Sequence, residues 1–226
     1  MSPARAVAEA PHSRRVAGTL CLLLALVVPG CTRVVDAPQP APVPPVAPIT
    51  AGQTVDLLSP KVLGEDGNLF VTVEPEECSG VAREVDPPFI SDFDPAATDG
   101  GHWVDDGTPE VYIEEMVGVY PANFDPRKAL DNAQRVIDSC RDGPIWVTTM
   151  SGGEHVFSFL PQPDSGSPSI VLWSFTAKGW ACDNAFVAAH NAAVEITTCA
   201  DIYGYDVLTL AQQALKRIET LANTTA

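Results

Sequence analysis

The chain has 226 residues, 13 basic against 29 acidic, for a formal charge of −16. Apolar residues make up 46% and charged residues 19%, which supports a packed core and excludes a disordered chain. This acidity excludes the basic footprint of a nucleic-acid binder, and no apolar run reaches the roughly 20 residues that a membrane-spanning helix needs.

The first elements read as an export signal over residues 1–30. Arg5, Arg14 and Arg15 stand against a single acid, Glu9, ahead of an unbroken apolar stretch from Leu20 to Val28. That stretch is too short to cross a bilayer and suits the core of a signal peptide. It runs into Val28-Pro29-Gly30-Cys31, the lipobox pattern of bacterial lipoproteins with Pro29 as an unusual member. The reading is that Cys31 is lipidated and becomes the first mature residue. Its rival is ordinary cleavage beside an incidental cysteine.

Residues 1–30 hold three of the 13 basic residues and one of the 29 acidic ones, so the mature chain keeps 10 and 28, a formal charge of −18. Anionic headgroups repel such a surface. Residues 31–53 carry the lipid site and then prolines at 38, 40, 42, 44, 45 and 48. A polyproline-like tether of this length reaches roughly 65 Å. The Debye length at physiological salt is only about 8 Å. The folded part, residues 54–226, can therefore stand clear of the membrane.

Within it, Ser59-Pro60 predicts a short helix ending near Gly64, and Pro75 to Cys78 a further turn. Residues 86–109, rich in Asp, Pro and Gly, read as a long surface excursion. Val111, Ile113, Val117 and Val119 share one parity and predict a strand. Asp125-Pro126 opens a helix with Leu130, Ala133, Ile137 and Cys140 on one face, and Gly143-Pro144 stops it. Strand-like runs follow at Ile145–Met150, Glu154–Leu160, Ile170–Thr176, Trp180–Ala189 and Ala192–Cys199. Short turns between most of them require antiparallel neighbours. A last helix starts at Asp206, with Val207, Ala211, Ala214, Ile218 and Leu221 as its apolar stripe. The expected fold is α+β, a single domain with a twisted antiparallel sheet, packed helices and two disulfides.

The cysteines define those disulfides. Cys21 leaves with the signal and Cys31 is the lipid site, so Cys78, Cys140, Cys182 and Cys199 remain. An even set outside the cytoplasm reads as two bonds. A hairpin closing at His190-Asn191 sets Cys182 opposite Cys199 at a non-hydrogen-bonded pair, where Cα atoms lie about 4.5 Å apart. Cys78 and Cys140 are left for each other. No CxxC or Cys/His cluster supports zinc instead.

Along residues 57–222 the pattern resembles the PknH-like extracellular sensor domain family of actinobacterial receptor kinases and related lipoproteins. The likeness is carried by Leu57-Leu58-Ser59-Pro60, Pro75-Glu76-Glu77-Cys78, Val119-Tyr120-Pro121 and Ser139-Cys140. It continues with Gly179-Trp180-Ala181-Cys182, with 191–199, and with Tyr205-Asp206. The resemblance implies a cleft-bearing ligand-binding or sensing domain with no established catalysis, and the same two disulfide pairings. Ala192 and Asp183 depart from the residues usual in the family at those positions. No kinase domain is read in this chain, so a signal would pass through a partner.

Candidate chemistry is sparse. Asp92, Asp94, Asp99, Asp105, Asp106 and Glu110 crowd one loop, but an EF-hand counted from Asp92 would have Ala96 and Ala97 where it needs a ligand and a glycine. His102, His155 and His190 lack metal-binding spacing, and there is no GxSxG elbow. Glu115 shares the apolar parity of its strand. It is read either as a buried cleft carboxylate with a raised pKa or as a frayed position facing water. Of Trp103, Trp146, Trp173 and Trp180, most are expected in the core. The expectation is an outer-face, lipid-anchored lipoprotein that binds a small apolar or amphiphilic envelope molecule, with no catalytic residue, cofactor or metal. Its partners are the membrane, that ligand and an envelope protein, with no nucleic acid. The alternatives are an envelope hydrolase with dispersed catalytic residues and a protein-interaction scaffold.

Overall fold

Eight strands pair into one antiparallel sheet in the computed structural model, which describes residues 49–64 and 67–224. They are β1 (Phe70–Glu74), β2 (Ala97–Asp105), β3 (Val111–Val119), β4 (Ile145–Thr149), β5 (Glu154–Phe159), β6 (Ile170–Ala177), β7 (Trp180–Ala189) and β8 (Ala192–Ala200). Their order in space is β1-β4-β5-β6-β7-β8-β3-β2. The helices are α1 (Pro88–Ser91), α2 (Pro126–Cys140) and α3 (Val207–Thr224), with 3₁₀ turns at Ala51–Leu57 and Glu76–Val81. The α+β expectation holds. Residues 1–48, including Cys31 and most of the proline-rich segment, lie outside the described residues.

Helices and turns pack on both faces of the sheet, so the domain has two cores. On one face α2, α1 and the 76–81 turn pack against Phe157, Trp173, Phe175 and Phe186. On the other, α3 and the 51–57 turn cover Ile113, Val117, Leu172, Val187, Val194 and Ile196. Helix α2 begins where Asp125 accepts hydrogen bonds from the Arg127 and Lys128 N–H groups, which satisfies two otherwise unpaired donors. It buries Leu130, Ala133, Ile137 and Cys140 as predicted. Helix α3 buries Val207, Ala211, Ala214, Ile218 and Ala222, while Leu221 packs at the margin.

The β7–β8 hairpin closes on Ala189 and Ala192, with His190 at φ 53° in the turn. That register sets Cys182 opposite Cys199, bonded with a Cα separation of 4.1 Å. Cys78 and Cys140 form the second bond and join the 76–81 turn to α2. Both predicted pairings are found. Replacing Cys182 and Cys199 by Ala should cost about 3 kcal/mol by loop length, less where the hairpin persists in the unfolded chain. Urea unfolding of the double variant measures it, and a loss of less than 0.5 kcal/mol (roughly the smallest resolvable change) would count against a stabilising bond.

Three local expectations are corrected. Ser59-Pro60 opens one tight turn and no helix: the chain after it extends to pair with β2, through Leu63 N–H to His102 O and His102 N–H to Gly64 O. Residues 86–109 are not a surface excursion but contain α1 and the edge strand β2. The glycines that suggested a loop allow close approach, because a Cβ at Gly101 would strike Val62 and lie 2.7 Å from Gly64 O. The ordered fold also begins ahead of residue 54. Ile49 is 2% exposed, and its N–H and C=O are both bonded to the Asn191 side chain.

Candidate functional site

The two arms of the curled sheet diverge at one end and leave a cleft of about 540 Å³. One wall comes from residues 67–70, Thr149 of β4 and His155 of β5. The other comes from 102–104 of β2 and 112–114 of β3, with Trp180 and Cys199 between the two walls. Rings follow one another along it: Phe70 lies 6.0 Å from His155, His155 6.4 Å from Trp180, and Trp180 5.7 Å from Tyr112.

Carboxyl groups meet this aromatic wall. Glu114 is 7% exposed and lines the cleft, and its Oε2 has no partner among the described residues. Glu84 reaches in from the segment between the 76–81 turn and α1, and accepts the Phe70 N–H at 2.7 Å. Register explains Glu114's neighbours, since cross-strand pairs run His102 to Glu114 and Glu114 to Thr197, with Asn184 next on β7. All four project from one face of the sheet, and Glu195 follows two residues before Thr197 on β8. Burial pushes the Glu114 carboxyl up to about 9, helped by the charges of Glu84 and Glu115. Burial likewise raises Glu84 to about 7 against the pull of the Phe70 N–H, and raises Glu195 well above the ordinary range. Besides Glu114, the unpartnered buried atoms here include His102 Nδ1 and Trp180 Nε1. Among the described residues the cleft lining contains no Lys or Arg. Such a site can donate hydrogen bonds from neutral carboxyls, accept a cation on ionised ones, and hold an apolar body against rings.

Glu115, the carboxylate singled out by parity, is elsewhere. It projects from the opposite face of β3, is 1% exposed, and pairs with Arg217 of α3 while accepting the Ser59 N–H at 2.5 Å. It is thus neither a cleft residue nor a water-facing one. Asp183 is occupied in the same way, accepting from Ser174 Oγ at 2.6 Å and from the Gly204 and Tyr205 N–H groups at 2.7 and 2.9 Å. Trp103 and Trp173 are core, Trp180 lines the cleft, and Trp146 is exposed. Among the described residues no cluster of His, Cys, Asp and Glu is arranged to hold a metal ion, and no helix is long and apolar enough to cross a membrane.

The family model for the PknH-like extracellular domain matches residues 48–217. The chain belongs to this family. A solved structure of the extracellular domain of PknH from Mycobacterium tuberculosis shares its fold, with a TM-score of 0.58 at 17% identity, over 79% of this chain and 98% of that one. No curated protein matches the sequence significantly. Both disulfides, Cys78–Cys140 and Cys182–Cys199, lie within the matched region. The residues that line the cleft lie within that region too, from Gly67 to Cys199.

Proposed function

We propose that this chain is an extracytoplasmic sensor or ligand-binding lipoprotein, anchored through lipidated Cys31 and held off the membrane by the proline-rich segment. Its cleft binds a small apolar or amphiphilic envelope molecule and releases it unchanged. The observation that carries this reading is a cleft of about 540 Å³, within the range of small-molecule sites, whose apolar walls converge on the unpartnered Glu114 carboxyl and Trp180 indole N–H. A ligand that binds only the folded state adds about 2.7 kcal/mol at a hundredfold excess over Kd. A thermal-shift screen of envelope lipids and cell-wall fragments is therefore expected to give a stabilising compound that is recovered intact. Steady hydrolysis of a hit, abolished by Glu114→Gln in a folded protein, would replace this reading with the hydrolase.

The anchor has its own test. Cys31→Ala should move the protein from the membrane fraction to the medium, and retention of the variant on membranes would remove the lipidation assignment. A docking role has one supporting observation: Trp146 and Val156, paired across β4 and β5, are each 49% exposed. Trp146→Ala should weaken partner capture if that role is real and leave ligand-induced stabilisation unchanged.

A further inference from the structure

We infer that the cleft selects a protonated organic amine, with its ammonium seated on Glu84 and Glu114 and its apolar body against the Phe70–His155–Trp180–Tyr112 wall. This rests on the cleft being the ligand site and names the chemical class that fits it. The argument begins with how the chain treats its other buried carboxylates. Glu115 is matched by Arg217 and the Ser59 N–H, and Asp183 by a hydroxyl and two backbone N–H groups. Glu114 is given no such partner, and its open oxygen belongs to a residue that lines the cleft. Glu84 stands close enough for the two charges to interact, and its one bond is to Phe70 N–H. Glu195 adds a third carboxyl with an unpartnered buried oxygen.

An incoming anion would meet these acids with no Lys or Arg among the described lining residues to offset them. Once Glu114 is ionised, a neutral ligand would leave the repulsion between Glu84 and Glu114 in place. An ammonium relieves that repulsion and satisfies the open oxygen, and charged hydrogen bonds of this kind are the stronger class. Trp and Tyr faces add cation–π attraction for the same charge, while the ring wall takes hydrocarbon. Both an amine-bearing lipid headgroup and a free alkylamine or polyamine present this chemistry.

The titratable groups around Glu114 are Glu84, His102, Tyr112 and His155 of the cleft lining and Glu115 beside it on β3, while Glu195 interacts with Glu84. Below about pH 9 Glu114 holds its proton. Seating an ammonium on ionised Glu114 displaces that proton. Affinity should therefore rise by about tenfold per pH unit while one proton is released.

The test titrates the folded domain with hexylammonium, hexan-1-ol and hexanoate at several pH values between about 6 and 9, by calorimetry in buffers of different ionisation enthalpy. Hexylammonium should bind roughly tenfold or more tightly than either control, with proton release. Glu114→Gln and Glu84→Gln, each checked by near-ultraviolet circular dichroism, should weaken the amine by roughly tenfold or more and hexan-1-ol by far less. Vesicles bearing an aminoethyl headgroup and free spermidine then separate lipid from soluble amine. If hexan-1-ol binds as tightly as the amine and Trp180→Ala abolishes both, the cleft reading stands and the amine selection falls. If amine binding survives Trp180→Ala and both Gln variants, the site lies elsewhere and both readings fall.

Discussion

The folded domain is expected to be most stable near pH 5 and to lose several kcal/mol as the pH rises to about 9. The cause is the row of carboxyl groups on the cleft face. Burial raises Glu84 to about 7 and Glu114 to about 9, and raises Glu195 well above the usual carboxylate range. A raised folded-state pKa means that the folded protein holds a proton which the unfolded chain gives up. The stability linked to that proton is complete below the unfolded pKa, near 4.5, and drains away as the pH climbs through the folded value. Each such group contributes a slope of up to about 1.4 kcal/mol per pH unit, so Glu84 alone accounts for about 3 kcal/mol. Self-repulsion in a chain this acidic acts in the same sense. Urea unfolding at a series of pH values measures the sum, and Glu114→Gln isolates the local part. Its amide stands in for the protonated acid and does not ionise. The variant should unfold with a flatter pH profile and exceed the parent in stability at pH 9 (~1 kcal/mol or more). Equal slopes in parent and variant would show that Glu114 is not a buried proton holder.

How much of this was legible depends on whether a feature was local. The β7–β8 hairpin is written in a two-residue turn flanked by apolar runs, and its register alone sets Cys182 against Cys199. Helices α2 and α3 carry their faces at helical spacing and their caps at Asp125 and Asp206. Strand β1 was missed because its register shifts between Phe70 and Thr72, so the buried residues are Phe70 and Val73, three apart, and strict alternation is lost. Strand β2 was missed because it is an edge strand carrying Asp99, Gly100 and Gly101, residue types that ordinarily mark turns.

The cleft was illegible for a different reason. Its acids and rings come from the segment after the 76–81 turn and from β1, β3, β5 and β7, and only the curl of the sheet brings them together. Parity pointed to Glu115 because it shares a face with Ile113 and Val117. Parity presumes that one face of a strand meets water, whereas both faces of β3 are covered. Adjacent glutamates in such a strand must bury one carboxyl on each side of the sheet. The Glu114-Glu115 pair, flanked by apolar residues of both parities, was the available signal.

On the far side of that pair, Arg217→Met is expected to destabilise the domain by about 4 kcal/mol at pH 8. Arg217 pairs with Glu115 and donates from Nε to Leu57 O at 2.6 Å, while Glu115 accepts from Ser59 N–H. One guanidinium thus ties α3, the end of the 51–57 turn and strand β3 together. Methionine fills much of the same volume and removes the charge, leaving a carboxylate that is 1% exposed without its counter-ion. Desolvation already raises the Glu115 pKa, and Arg217 is the main influence holding it down. Without Arg217 the folded-state pKa rises further, so the variant is least impaired below about pH 4.5 and worsens as the pH climbs. Adding Glu115→Gln should recover most of the loss at pH 8, because the amide carries no charge and still offers an oxygen to Ser59 N–H. Urea unfolding of the parent, both single variants and the double variant at pH 4.5 and 8 (roughly spanning the titration) closes a double-mutant cycle. A coupling energy that is near zero and independent of pH would mean that this buried pair holds nothing in place.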